Sequence, residues 1–74
     1  MNEKLRQEKL KMWKDNLSKL EKELEVIYLK KGAAAQEGDL SENAAYTMAI
    51  EDAETTRVRI NEVKKIIADL EAGR

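Results

Sequence analysis

Leu10, Trp13, Leu17, Leu20, Leu24 and Ile27 recur at alternating spacings of three and four residues, the period of one helix meeting another along a seam. A second seam of the same period runs through Tyr46, Ala49, Ala53, Thr56, Ile60, Val63, Ile67 and Leu70. No proline interrupts either run. The one convincing break is "EGDLSE", residues 37–42. There Gly38 suits the left-handed position that follows a helix end, and Asp39 or Ser41 suits the cap of the next helix. A short link between two seams makes the helices antiparallel neighbours. The fold class expected is therefore all-α: an antiparallel two-helix coiled-coil hairpin with a short acidic turn near residues 37–41.

The register follows from the phase of the seams. If the chain folds back near position 40, Leu10 faces Leu70, Trp13 faces Ile67, Leu17 faces Val63 and Leu20 faces Ile60. Toward the turn, Leu24 meets Thr56, Ile27 meets Ala53, Lys31 meets Ala49 and Ala34 meets Tyr46. Both seams stay in phase through one turn, which predicts a rod roughly 45 Å long at the α-helical rise.

The layers change character along that rod. Leu5, Met12, Trp13, Ile66, Ile67 and Leu70 gather at the open end, a surplus of apolar surface that predicts a cover there, by self-association or by a docked domain. The closed end is built from Ala33, Ala34, Ala35, Ala44, Ala45 and Ala49, which lets the helices approach closely. Gly32 lies within the first arm at a cost of about 1 kcal/mol relative to Ala, either as a local bend or as a tolerated glycine.

Composition excludes several classes. With 74 residues, the chain is read as one domain over residues 1–74, a single helical hairpin. It has neither Cys nor His, so disulfides and thiolate or imidazole metal sites are excluded, and a reducing compartment fits. No run of about 18 apolar residues is present to span a membrane. The charged start "MNEKLRQEKLK" is not a signal peptide. A net charge of −1 and a pI near 5.5 lack the basic footprint of a nucleic-acid binder, so no direct sequence-specific grip on DNA or RNA is expected.

Charge is nonetheless unevenly spread. Residues 38–56 carry five acids, Asp39, Glu42, Glu51, Asp52 and Glu54, and no base. From Gly32 to Thr56 there is no positive side chain at all. In a hairpin that span is the distal third, giving a thin rod with an acidic tip and a mildly basic stem. Glu51, Asp52 and Glu54 fit a solvated helix face. Asp39 and Glu42, three residues apart, fit a D-x-x-E capping box, and acids in a first turn also suit the helix dipole. The same pair could instead lend charge to chemistry at the tip. Two carboxylates alone are too few for a metal cage, but they can complete a coordination sphere that another molecule provides.

"GDLSENAAY", Gly38 to Tyr46, resembles the tip motif of the bacterial transcript-cleavage factors of the GreA/GreB family, close to G-D-L-S/K-E-N-A-E-Y, in eight of nine positions. The likeness continues without gaps to about Val63, including Arg59 and Ile60. It implies an N-terminal coiled-coil hairpin that enters the secondary channel of bacterial RNA polymerase in the cytoplasm. Asp39 and Glu42 would then assist catalysis in trans, helping to hold a Mg²⁺ shared with the polymerase active centre while backtracked RNA is hydrolysed. Gly38, Leu40, Ser41, Asn43 and Tyr46 would shape or seat the tip. No cofactor of its own is implied, and the chain would stimulate the hydrolytic activity of the polymerase rather than act as an enzyme.

The sequence departs from the pattern at Ala45, where the family has Glu, and at Ala34 and Ala35, where it has Ala-Arg. The reading also expects no C-terminal globular domain, which full-length members carry. Two alternatives stand beside it: a Gre-like inhibitor that occupies the channel without stimulating cleavage, and a stand-alone coiled-coil interaction module.

Overall fold

A computed structural model describes residues 2–37 and 43–73 of the chain. Two helices, α1 (Glu3–Ala35) and α2 (Ala44–Glu71), pack against each other as an antiparallel hairpin. The molecule measures 55 × 15 × 12 Å. Its radius of gyration of 16.7 Å far exceeds the roughly 11 Å of a globular chain of this length. The rod is longer than the seams alone predict, because α1 begins seven residues before Leu10 and runs for 33 residues.

Each helix start has a local cause. Asn2 caps α1 by accepting from the Leu5 amide at 2.8 Å, and Glu3 places a negative charge in the first turn. Asn43 caps α2 in the same way, accepting from the Tyr46 amide at 3.1 Å. The expectation that Asp39 or Ser41 caps the second helix is thereby corrected. Asn43 has extended backbone (φ −90°, ψ 96°), so helical geometry begins only after it. The Asp39–Glu42 pair, expected as a capping box, lies outside the described residues.

The ends differ as well. α1 closes by tightening: the Gln36 amide donates to Ala33 O at 3.2 Å and the Glu37 amide to Ala34 O at 3.1 Å. α2 ends at Gly73, whose φ of +79° is the left-handed conformation that a glycine adopts without steric cost. Gly38, expected in that conformation, lies outside the described residues. Gly32 sits within α1 and produces no break.

The second seam is buried from Ala49 through Ala53, Thr56, Ile60, Val63 and Ile67 to Leu70. The first seam is covered less: Leu10 and Ala34 are buried, whereas Trp13, Leu17, Leu20, Leu24 and Ile27 are half-buried. The larger side chains of α1 lie over the smaller ones of α2, and with no third layer their outer edges face solvent. The apolar cluster forms at the base, where Leu10, Val63, Ile67 and Leu70 are joined by Trp13, Leu17, Leu20 and Ile66. The expected apolar surplus there is accordingly smaller: Trp13, Ile66, Ile67 and Leu70 pack into this cluster, and Leu5 and Met12 remain exposed.

Polar groups confirm the pairing on both flanks. Lys14 meets Glu71 at 3.6 Å, and Arg57 donates to the Tyr28 hydroxyl at 2.6 Å. Arg6 donates to Leu70 O at 2.9 Å, closing the open end. All three contacts straddle a fold-back near position 40. Among the described residues, no helix is long and apolar enough to cross a membrane.

Candidate functional site

The distal end is built from small side chains and one polar bridge. Buried Ala34 on α1 and buried Ala49 on α2 bring the two backbones together near the turn. Asn43 uses both halves of its carboxamide there. Its Oδ1 caps α2, and its Nδ2 donates to Ala34 O on α1 at 2.6 Å. One turn further in, the Lys31 ammonium lies 5.9 Å from the centre of the Tyr46 ring, a cation–π contact across the helices. Asn43 and Tyr46 are both half-buried.

Asp39 and Glu42, with Gly38, Leu40 and Ser41, lie outside the described residues. The connection that contains them leaves α1 after Glu37 and returns at Asn43. Around its two ends the charge is one-sided. Glu37, Glu51, Asp52 and Glu54 are exposed and form no ion pair among the described residues, and the nearest bases, Lys30, Lys31 and Arg57, stand at the edge of this zone. Among the described residues no three acidic side chains come together to hold a metal ion.

The family model described as "Transcription elongation factor, N-terminal", that of GreA and GreB, matches residues 4–71. The chain belongs to the GreA/GreB N-terminal family. No curated protein and no solved structure matches it significantly. The match spans nearly the whole of both helices of this Gre-type hairpin, together with the "GDLSEN" connection. The family is one of transcription elongation factors rather than stand-alone catalysts.

Among the described residues of the Gre-type hairpin, titration is perturbed at the base. Hydrogen bonds from Arg6, and then from Gln7, hold the Glu3 carboxyl below its ordinary range, and the same pairing raises Arg6. This ion pair orients the guanidinium toward Leu70 O, so its role is structural.

Sequence reasoning missed the bridging role of Asn43. Three good caps crowd "DLSEN", and the two after Gly38 drew the assignment. The available signal was the second seam itself, which begins at Tyr46, three residues after Asn43, the spacing at which a cap side chain meets its amide. Exposed Val26, Tyr28, Leu29, Met48 and Val58 were missed too, since they fall outside both seams. Met48 edges an open groove of about 320 Å³ with Ile27, Lys30, Ala45, Ala49 and Asp52, which gathers no set of ligating groups.

Proposed function

We propose that this chain is a secondary-channel factor of bacterial RNA polymerase, which delivers Asp39 and Glu42 to the polymerase active centre and promotes hydrolysis of backtracked RNA. The observation that carries the reading is the coincidence of motif and shape. The "GDLSEN" motif falls in the connection between the two helices of a 55 Å rod only 12–15 Å across. A rod that thin suits a narrow channel. Its acid-only distal third suits a destination where cations neutralise the reacting phosphate.

A Mg²⁺ shared with the polymerase would supply the polarisation of water and phosphate that hydrolysis needs. Asp39 and Glu42 would offer it carboxylate oxygens, too few for a site of their own and enough to complete one. The stem has a separate task. Its seam and flank contacts keep the rod straight enough to carry the tip.

The test is cleavage of end-labelled RNA in a purified backtracked complex, with the chain and with Asp39→Asn and Glu42→Gln. The chain is expected to speed cleavage. Each variant is expected to lose at least about tenfold, the lower end of what loss of an outer-shell metal partner costs. Because Asn43 caps α2, neither variant should lower the melting temperature appreciably. Variants that stimulate as well as the parent would overturn the reading. If the chain slows cleavage and the variants relieve that effect, it is a channel-blocking inhibitor.

The interaction-module reading is favoured by one observation, the exposure of Leu5, Met12, Val26, Leu29, Met48 and Val58. Sedimentation of the free chain separates the two. Tight self-association through these side chains, with no effect on polymerase, would select the module.

A further inference from the structure

We propose that Asn43 is the positioning residue of the tip, a clasp that anchors both ends of the segment carrying Asp39 and Glu42. The inference rests on the function proposed above and adds to it the group that holds the acids to the rod.

The argument begins with what a carboxamide can do. Ser, Thr or Asp could accept from the Tyr46 amide and cap α2 equally well. None of the three could do so and also donate to Ala34 O. Asp has no proton to give at neutral pH, and a hydroxyl is too short to span both partners. Asn43 makes both bonds, at 3.1 and 2.6 Å. Ala34 O already accepts from the Glu37 amide, so the carboxamide takes its second lone pair. That oxygen also lies at the negative end of the α1 dipole, which favours an N–H donor and disfavours a carboxylate.

Location makes the clasp matter. The apolar cluster is confined to the base, between Leu10 and Leu20 on one helix and Val63 and Leu70 on the other. Near the turn the buried seam residues are Ala34, Ala49, Ala53 and Thr56, small side chains that permit close approach but bury little area, while Leu24 and Ile27 are only half-buried. The distal helices are instead tied by polar contacts, the Asn43 bridge and the Lys31–Tyr46 pair. The chain leaves for residues 38–42 immediately after Glu37, whose amide shares Ala34 O with the clasp, and it returns at Asn43 itself. Freeing the clasp removes the direct tie between these two ends of the segment.

Asn43→Asp separates clasp from cap, because the carboxylate still accepts from Tyr46 N–H but repels Ala34 O. Asn43→Ser is the uncharged control that also keeps a cap. In the free chain at neutral pH, amide hydrogen exchange by NMR should show Tyr46 still protected in both variants. Glu37 should exchange roughly 2- to 10-fold faster, the range set by one hydrogen bond. In the backtracked complex, both variants should compete with the parent for polymerase undiminished. Their maximal cleavage rate should be lower, and they should need more Mg²⁺ to reach half of it.

A merely structural Asn43 would lower melting temperature and occupancy and leave the Mg²⁺ dependence where it was; that result overturns the proposal. Unchanged Glu37 exchange in both variants overturns the clasp itself. If the parent chain has no effect on cleavage, the functional reading fails and the positioning role falls with it, while the exchange data still decide whether the clasp exists.

Discussion

The Arg6 guanidinium donates to the main-chain oxygen of Leu70 at 2.9 Å, tying the first turn of α1 to the last turn of α2. It is a basic group at a helix C-terminus, where it satisfies a terminal carbonyl and opposes the dipole. Glu3 holds it in place through a pair of contacts at 2.7 and 3.0 Å. The Glu3 carboxyl is depressed below its ordinary value of 4.5 by this pairing. A depressed acid adds stability that is complete above the unfolded value and lost as pH falls through the folded one. The stability this pair adds, read as melting temperature, should therefore be complete above pH 4.5 and fade as pH drops below it, a small effect because the pair is exposed to solvent. Glu3→Gln should flatten that part of the profile, and an unchanged acid limb in the variant would show the pair to be irrelevant.

Ile67 should be among the most sensitive positions in the chain. It is 7% exposed and sits in the only apolar cluster among the described residues. Ile67→Ala should cost about 2–5 kcal/mol, which a two-helix rod cannot spare, and the helical circular dichroism signal should drop at room temperature. Leu29→Ser, at a side chain 73% exposed, should change stability by no more than about 0.5 kcal/mol. Equal effects of the two would mean that the burial pattern is wrong.

Gly32→Ala should stabilise the hairpin. A Cβ built at Gly32 meets nothing within 4 Å, and the residue lies inside α1. The gain expected is about 1 kcal/mol, or roughly 4–8 °C in melting temperature for a chain of this size. A loss of stability would show that this glycine serves a bend.

Tyr28→Phe should have a small effect on stability, because the hydroxyl that accepts from Arg57 lies on an exposed flank. The expected loss is about 0.5–1.5 kcal/mol at most, read by urea denaturation. A larger loss would place Arg57 among the principal ties between the helices.

The seams, the absence of proline and the phase of the two runs determined by themselves that two helices would pack antiparallel, and that α2 would be buried along its seam from Ala49 to Leu70, though Tyr46, also in that seam, is only half-buried. Those properties follow from spacing, and spacing is fixed by the helical period before any partner is present. Family membership was likewise legible, because "GDLSENAAY" is contiguous in the chain. Tertiary structure decided what depends on the other helix. The sequence placed the cap of α2 at Asp39 or Ser41, whereas Asn43 caps it and also reaches Ala34 O. Ile66 lies outside the strict seam, yet it packs against the apolar cluster at the base. The first seam is only half-buried because no third layer covers it. Period tells each residue which way it faces; only the partner helix determines how much of it is covered and which of its hydrogen bonds can be made.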